Sequence, residues 1–322
     1  MTQIGPFPSS VEVGILAYPG AHEAAMLGMA DLLAIANRFA TEQGGSLKAK
    51  AQVHRWSLDT SGRITRDDNA ENIAGPHVLI IPGRLSGPVS TEEAAPFVSW
   101  IRTLHDSGTT LASSCAGSFI LAEAGLLDGR PASTHWADAD EFRTRFRNVS
   151  LKIDEIIVEG ETIVTAGGLM AWTDLGMRLC ERIFGTSVMM QTSRFMLVDT
   201  AGREQRNYKS FKPRMDHGDD AILSVQHMLR DTEGQAIDVA HMSRHAKLEE
   251  RTFLRRFKSA TGLRPTEYVQ TLRIEKAKEM LQLSRRPVEQ IARIVGYRDM
   301  AAFRRLFRRE TGMSPAEYRR RF

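Results

Sequence analysis

The chain contains 322 residues, which is more than one average domain needs and suits two. Apolar residues make up 42% of it and charged residues 25%, which is typical of globular proteins and excludes a disordered chain. No apolar run approaches the about 20 residues that span a bilayer, which excludes a transmembrane protein. The first ten residues lack the basic start and apolar core of an export signal, so we expect a cytoplasmic protein with no membrane partner.

The cysteine content limits the kinds of site that the chain can build. Cys115 and Cys180 are its two cysteines. They are too few for a disulfide scaffold or a four-cysteine zinc site, and they suit a reducing cytoplasm. We expect no metal and no cofactor.

Charge is distributed unevenly along the chain. Residues 1–202 carry 16 Lys and Arg against 23 Asp and Glu, whereas residues 203–322 carry 27 against 16. A basic half joined to an acidic half indicates that one end binds a polyanion, although a solvated basic surface without a partner gives the same count. The polar stretch Thr200–Asp220 has no apolar periodicity and is predicted to be a linker.

The acidic half alternates strand-like and helix-like segments. Such alternation predicts a parallel sheet covered by helices on both faces, a doubly wound α/β fold of flavodoxin-like type. Ligands of such folds bind at the carboxyl ends of the strands. In chain order, the predicted elements are strand Val11–Tyr18, helix Ala24–Ala40, strand Gln52–Leu58, strand Val78–Ile81, helix Glu92–His105, strand Thr109–Ser113 and helix Ala116–Ala124.

Cys115 falls at a strand-turn-helix elbow between two of these elements. The surrounding residues approach the Gly-x-nucleophile-x-Gly pattern, with Gly117 present and Ser113 at the earlier glycine position. A helix N-terminus stabilises a thiolate, which favours a nucleophile. A small residue at a tight turn beside a pocket would occupy the same position.

The basic half repeats one helical unit. The two segments begin at Ala236 and Pro287, and each consists of a short amphipathic stretch, a break and a longer helix. Each longer helix carries two phenylalanines four residues apart, on one helix face, and ends at Thr-Gly-x-x-Pro followed by a tyrosine. The matching residues, 50 positions apart, are Phe253 and Phe303, Phe257 and Phe307, Thr261 and Thr311, Gly262 and Gly312, Pro265 and Pro315, and Tyr268 and Tyr318.

The helix faces opposite the phenylalanines are rich in arginine. A helix with an apolar inner face and an arginine-rich outer face suits the DNA major groove, where arginine binds guanine edges or phosphates. The alternative is a helical hairpin with a solvated basic face, and the doubled pattern favours two helix-turn-helix units. The arginines are Arg251, Arg255 and Arg256 in the first unit and Arg304, Arg305, Arg308 and Arg309 in the second.

These residues resemble the AraC/XylS-type regulator domain, and the second unit fits its signature closely from Ile291 to Tyr318. The resemblance implies an all-α domain of seven helices, with a long helix over about Pro265–Leu283 that joins two helix-turn-helix motifs. It implies recognition helices over about Glu250–Ala260 and Asp299–Thr311. The groove-facing residues carried over from the family are Arg251, Leu254, Arg255, Met300, Arg304 and Arg305. Leu254 and Met300 are apolar where hydrogen-bonding side chains are frequent, so they would touch thymine methyl groups, or the second unit would mostly bind the DNA backbone. We expect Arg251 and Arg255 to read the sequence.

The acidic half resembles the class I glutamine amidotransferase-like superfamily, in its ThiJ/PfpI branch. The segments that carry the resemblance are Ala124–Arg130, Ser133–Trp136 and Thr165–Gly168, the last followed by a helix with Asp174. The GlxA-like regulators fuse such a domain to an AraC-type domain. Many ThiJ-like members place an acid at the position of Ala25, although Glu23 is close, and no histidine follows Cys115. The resemblance therefore implies a pocket kept for sensing, and we expect no catalytic residues and no enzyme.

The resemblance also implies a small nitrogenous effector. Trp136 and Trp172 could form an aromatic wall for a cation, and Arg84 could hold a carboxylate. Core packing for each tryptophan and a plain surface position for the arginine are the alternatives. The candidate ligand-binding residues are Tyr18, His22, Gly83, Arg84, Cys115, Ala116, His135, Trp136 and Trp172.

Together these features predict a sequence-specific transcription regulator. Residues 1–200 are predicted to bind the small-molecule effector and to form a homodimer, 201–220 to be a linker, and 221–322 to bind double-stranded promoter DNA. Activation through RNA polymerase is the expected output, and repression is the alternative. Two alternatives remain: an active ThiJ-like cysteine hydrolase or lyase tethered to DNA, and a DNA-binding protein that needs no ligand.

Overall fold

The structure is a computed structural model that describes residues 7–42, 49–68, 75–199, 203–232 and 238–322. It divides into two compact units, Met1–Gln205 and Arg206–Phe322. Of the predicted linker, residues 200–202 lie outside the described residues, as does Ala236, where the first repeat begins. The described part of that linker is irregular except for one turn of 3₁₀-helix at Gln205–Asn207.

The first unit is a mostly parallel α/β fold. Its strands are β1 (Ser10–Ala17), β2 (Lys50–Leu58), β3 (Ile64–Arg66), β4 (Val78–Ile81), β5 (Thr110–Ser114), β6 (Pro131–Ala132), β7 (Ser150–Leu151), β8 (Ile157–Glu159) and β9 (Ile163–Ala166). Its helices are α1 (Glu23–Glu42), α2 (Thr91–Asp106), α3 (Gly117–Glu123), α4 (Ala139–Arg145), α5 (Trp172–Phe184) and α6 (Thr186–Met196).

Among the described residues, seven strands form one sheet in the order β3-β2-β1-β4-β5-β9-β8. The five central strands pair in parallel, and the edge strands β3 and β8 pair antiparallel with their neighbours. The predicted parallel α/β class is confirmed, and the antiparallel edges are an addition that the pattern did not predict. Chain order reverses between β1 and β4, so the crevice typical of such sheets lies beyond the carboxyl ends of these two strands.

The central strands β4, β5 and β9 are buried along their whole length. All four residues of β4 and of β9 are buried, as are the five of β5. Such runs suit parallel strands that helices cover on both sides.

Helix α2 begins at a capping box, in which Ser90 accepts from the Glu93 amide and the Glu93 carboxylate accepts from the Ser90 amide.

Among its described residues, the second unit contains helices and no strands. It consists of α7 (Asp220–Asp231), α8 (Val239–His245), α9 (Glu250–Thr261), α10 (Pro265–Leu283), α11 (Val288–Ile294), α12 (Met300–Thr311) and α13 (Pro315–Arg321). The predicted long helix is observed over the same residues, Pro265–Leu283.

The sequence repeat becomes a repeat of packing. In the first core the Phe257 ring meets Tyr268 edge-on at 5.3 Å, and in the second core Phe307 meets Tyr318 at 5.5 Å. Both helices α9 and α12 end at a left-handed glycine, Gly262 or Gly312, with φ near 77° and 75°. Glycine adopts this conformation without the penalty that a Cβ atom brings. The two helix-turn-helix units therefore fold around separate but equivalent cores.

Candidate functional site

Three loops meet at the carboxyl ends of β1, β4 and β5. Gly83, which follows β4, accepts a hydrogen bond from the His22 amide at 2.8 Å and donates one to Ser114 Oγ at 3.1 Å. A Cβ atom on Gly83 would lie 2.6 Å from the Cβ atom of Cys115, so only glycine permits this approach. The structure thus brings together five of the predicted ligand-binding residues, namely Tyr18, His22, Gly83, Arg84 and Cys115, in one region that we call the crevice.

Cys115 occupies a strained elbow between β5 and α3. Its φ of 51° is in the left-handed region, and its amide donates to Ala166 O at 2.7 Å. Burial raises the pKa of the thiol to about 12, nearby Asp138 adds to the increase, and a hydrogen bond from the Ala116 amide only partly opposes it. Of the two interpretations of Cys115, this direction disfavours the nucleophile, because burial outweighs the helix terminus here.

The polar groups around the thiol are largely satisfied by the protein itself. The Tyr18 hydroxyl donates to Pro82 O at 2.7 Å, and burial raises its pKa well above the usual range. Arg84 pairs with Glu93 at 2.8 Å and donates from Nε to Gly87 O at 2.9 Å. A ligand carboxylate would therefore have to compete with Glu93 for Arg84.

Unlike Tyr18 and Arg84, His22 has a buried polar atom that the described part of the protein leaves without a hydrogen bond. The residue is 8% exposed, and its Nδ1 atom is buried without a hydrogen-bond partner among the described residues. Burial lowers the pKa of the imidazole, so the neutral form is favoured. An unpaired buried polar atom costs free energy, and a ligand group that hydrogen-bonds to it would recover that cost.

The loop that carries His135 and Trp136 lies next to the elbow. Thr134 Oγ1 donates to Cys115 O at 2.9 Å. The two rings stack at 5.3 Å, and His135 Nδ1 accepts from the Ala137 amide at 3.1 Å. Asp138, in the same loop, was not singled out from the sequence; burial raises the pKa of its carboxyl to about 6.

Two of the predicted residues have less accessible positions. Ala116 is fully buried behind the elbow. Trp172 packs against α1, where a Cβ atom on Gly28 would lie 2.4 Å from its ring. The shared aromatic wall of Trp136 and Trp172 stays a prediction.

A cavity of about 420 Å³ opens beside the crevice, between β1, β2 and α1. Of the predicted ligand-binding residues, Tyr18 lines it, and the Phe97 and Met26 side chains supply apolar wall. Arg55 and Glu23 add charge at 3.7 Å from one another. A small molecule with apolar and polar parts would fit such a cavity.

One group of potential metal-binding side chains occurs in the described ranges, with ligand atoms of His54, Asp67 and Asp68 within 4.8 Å of one another. Arg66 pairs with Asp68 at 2.6 Å, and His54 Nε2 lies 3.5 Å from Glu12. Ion pairs within the protein account for this exposed cluster, and no metal site is assigned to it.

The outer face of α9 presents side chains that are exposed and unpaired. Arg251, Leu254 and Arg255 are exposed, with Leu254 at 38%. Neither arginine forms a hydrogen bond or ion pair within the described residues. Arg256 differs, because its guanidinium binds both carboxylate oxygens of Asp219 at 2.6 and 2.9 Å. It therefore serves the fold of the second unit, which the helical pattern did not predict.

The face of α12 is arranged differently. Arg304 and Arg305 are exposed, and Arg304 pairs with Glu289 at 3.1 Å on the surface. Met300 is half-buried and packs against the second core. The exposed residue at the repeat position of Arg251 is Ala301. Among the predicted groove-facing residues, α12 therefore offers fewer unpaired hydrogen-bond donors than α9.

Comparisons with known proteins identify both units. Residues 48–182 match the DJ-1/PfpI family, and residues 242–321 match a helix-turn-helix domain family. The chain is 26% identical to the HTH-type transcriptional regulator CdhR of Pseudomonas aeruginosa, over 96% of this chain and 92% of that protein. This protein combines a DJ-1/PfpI domain with an AraC-type helix-turn-helix domain. It is a transcription regulator, and its helix-turn-helix domain binds DNA.

Two further relatives are a transcription regulator and an enzyme. The chain is 27% identical to the HTH-type transcriptional regulator GlxA of Rhizobium meliloti, over 69% of this chain and 68% of that protein. It is 26% identical to the isonitrile hydratase of Pseudomonas putida, over 55% of this chain and 73% of that enzyme.

Among the described residues, no helix is both long enough and apolar enough to cross a membrane.

Proposed function

We propose that this regulator is a cytoplasmic homodimer that binds promoter DNA sequence-specifically and activates RNA polymerase when a small nitrogenous effector occupies the crevice of the DJ-1/PfpI domain. The effector would contact the predicted residues around Cys115, and DNA would contact α9 and α12. The observation that carries the proposal is the pair of exposed, unpaired arginines Arg251 and Arg255 on α9, the helix that follows the turn of the first helix-turn-helix unit.

The DNA part of the proposal rests on what the exposed faces offer. Arg251 and Arg255 have free guanidinium donors for guanine edges, and Leu254 between them is placed for a thymine methyl group. On α12, Arg305 offers a comparable group, while Arg304 would leave Glu289 and Met300 would contribute apolar contact. We therefore assign most base reading to α9 and a larger share of backbone contact to α12.

Selection from a pool of random duplexes tests this assignment with the full chain. We expect two blocks of preferred bases about 10 base pairs apart, one for each helix-turn-helix unit. The Arg251→Ala chain should lose preference in one block only, and the control Lys258→Ala, altered in the last turn of the same helix, should keep both. Failure of the wild-type chain to enrich any motif would contradict sequence-specific binding.

The effector part rests on the unpaired Nδ1 atom of His22, the adjoining cavity and the polar rim of the crevice. A thermal-shift screen of the full chain against amino acids, amines and quaternary ammonium compounds tests it. A compound that binds only the native state raises the melting temperature by mass action. The shift should be lost in His22→Leu and kept in His241→Leu, an exposed histidine of the second unit.

Sensing without turnover is the part of the proposal that concerns Cys115. Reactive cysteines have a lowered pKa, whereas burial raises that of Cys115 to about 12. The alternative, a cysteine hydrolase or lyase fused to a DNA-binding domain, is favoured by the Asp138 carboxyl near the thiol and by the likeness to isonitrile hydratase. Hydration of an isonitrile by the wild-type chain that disappears in Cys115→Ala would establish the alternative.

A further inference from the structure

The last residue of the DJ-1/PfpI unit is held inside that unit by its side chain. Gln205 is 3% exposed, although it lies in a polar stretch one residue before the DNA-binding unit begins at Arg206. Its backbone amide also donates to Asp154 O at 3.0 Å. A buried glutamine side chain at a domain boundary needs several hydrogen bonds to offset its desolvation.

The hydrogen bonds of Gln205 reach the loop that flanks the crevice. Its Oε1 atom accepts from the Trp136 amide at 3.1 Å, which fixes the orientation of the side-chain amide, because the peptide N–H is a donor. Its Nε2 atom lies within hydrogen-bonding distance of three acceptors: Thr134 O at 2.9 Å, Ser133 Oγ at 3.0 Å and Glu155 O at 3.1 Å.

The same loop is bonded to the Cys115 elbow on its other side. Thr134 Oγ1 donates to Cys115 O at 2.9 Å, and Ser118 Oγ of the following helix donates to Ser133 O at 2.8 Å. Ser133, Thr134 and Ser118 are fully buried. A continuous chain of buried hydrogen bonds therefore runs from the crevice to Gln205, and such networks have few alternative arrangements.

A glycine in the DJ-1/PfpI signature makes room for this contact. A Cβ atom on Gly167 would lie 1.8 Å from Gln205 Nε2 and 2.6 Å from Ser133 Oγ. The Thr165–Gly168 segment, which the sequence marks only by resemblance, is thus shaped around the Gln205 side chain. Close approach of a side chain, rather than backbone conformation, requires glycine at this position.

We propose that Gln205 is the positioning residue that couples the crevice to the DNA-binding unit. The inference rests on the proposed effector-controlled function and deepens it. A ligand that shifts residues 133–136 alters the hydrogen bonds that hold Gln205, and Gln205 is covalently followed by the first residue of the DNA-binding unit. Coupling of this kind is reciprocal, so DNA bound to the second unit must also change the loop.

Amide hydrogen exchange of the full chain tests the coupling without an identified effector. The probe is the duplex selected above, and the readout is exchange of the peptide spanning residues 133–138 with and without that duplex. In the wild-type chain we expect the duplex to change the exchange rate of this peptide by about fivefold or more. The change should vanish in Gln205→Ala and persist in the control Gln52→Ala, an exposed glutamine on β2.

A second variant covers the case in which Gln205→Ala fails to fold. Thr134→Val keeps Gln205 but removes the hydrogen bond to Cys115 O. The duplex should still change exchange at residues 133–138, and any change at 113–118 should be smaller than in the wild-type chain, where only the Ser118–Ser133 hydrogen bond would remain as a link. Loss of the change at 133–138 in this variant would contradict coupling through Gln205, because Thr134→Val keeps every hydrogen bond of Gln205.

The two proposals fail in different ways. A wild-type chain that selects no duplex overturns the proposed function and this coupling with it. A wild-type chain that binds its duplex with unchanged exchange at 133–138, or a Gln205→Ala chain that retains the change, overturns the coupling alone.

Discussion

Two neighbouring arginines on α9 should lose different properties when each is replaced by alanine: DNA affinity at Arg255 and folding stability at Arg256. Arg255 is exposed and makes no hydrogen bond or ion pair within the described residues, whereas Arg256 binds both oxygens of Asp219. Asp219 caps the N-terminus of α7, where it accepts from the Ile222 amide. The chemical change is the same at both positions, so any difference in outcome reports what each guanidinium contacts.

The structure sets the size of the two effects. Arg255→Ala removes no contact of the folded chain, so stability should change by less than about 0.5 kcal/mol. If Arg255 reads a base, its loss should weaken specific binding by about 1–3 kcal/mol, or about five- to 150-fold in Kd. Arg256→Ala should lower the melting temperature, because Asp219 loses the partner that holds its pKa below the ordinary value.

Two assays on the same preparations separate these outcomes. Fluorescence anisotropy with the selected duplex at fixed salt gives Kd, and a thermal melt without DNA gives stability. We expect Arg255→Ala to bind weakly with an unchanged melt, and Arg256→Ala to melt lower while keeping its base preference. An Arg255→Ala chain with unchanged affinity and unchanged base preference would refute the assignment of Arg255 to DNA.

Three further predictions concern packing and titration. Phe307→Ala should cost about 3–5 kcal/mol in urea unfolding because its ring is fully buried, whereas Leu283→Ala, exposed at 78%, should cost far less; equal losses would contradict the second core. Iodoacetamide should label Cys115 slowly at pH 7 and faster as pH rises toward its pKa of about 12, and rapid labelling at neutral pH would show a reactive thiol. Asp138→Asn should raise the melting temperature at pH 7.5, because the folded state disfavours the charged carboxyl. This gain should shrink as pH falls through the raised pKa of about 6, and the exposed Asp140→Asn control should show neither effect.

Local signals that agree with one another were enough to predict much of the fold. The long helix over Pro265–Leu283 has proline at its first position, and a glycine ends the preceding helix, so its start was predictable from local signals, whereas its end was predicted from the family resemblance. The position of Cys115 at an elbow followed from a buried strand that runs directly into a helix. Strands β3 and β8 have three residues each, too few to establish an alternating pattern, and they were missed.

The site was less predictable, because burial and pairing are decided by distant parts of the chain. Arg255 and Arg256 are identical in type and adjacent, and only the position of Asp219 on α7 separates their roles. Gln205 lies in a stretch that is polar in sequence, and its burial depends on a loop about 70 residues earlier. The sequence left open whether Cys115 is a nucleophile or a small residue at a tight turn, and only the surrounding structure shows that burial raises the pKa of its thiol.

The central claim is that one molecule bound in the DJ-1/PfpI unit changes how the same chain binds DNA. The most direct measurement is the Kd of the full chain for its selected duplex, at fixed salt, with and without a saturating concentration of a compound from the thermal-shift screen. We predict a change of about five- to 150-fold that saturates with the compound, the usual range for coupled sites. An unchanged Kd at full occupancy of the crevice would contradict the account.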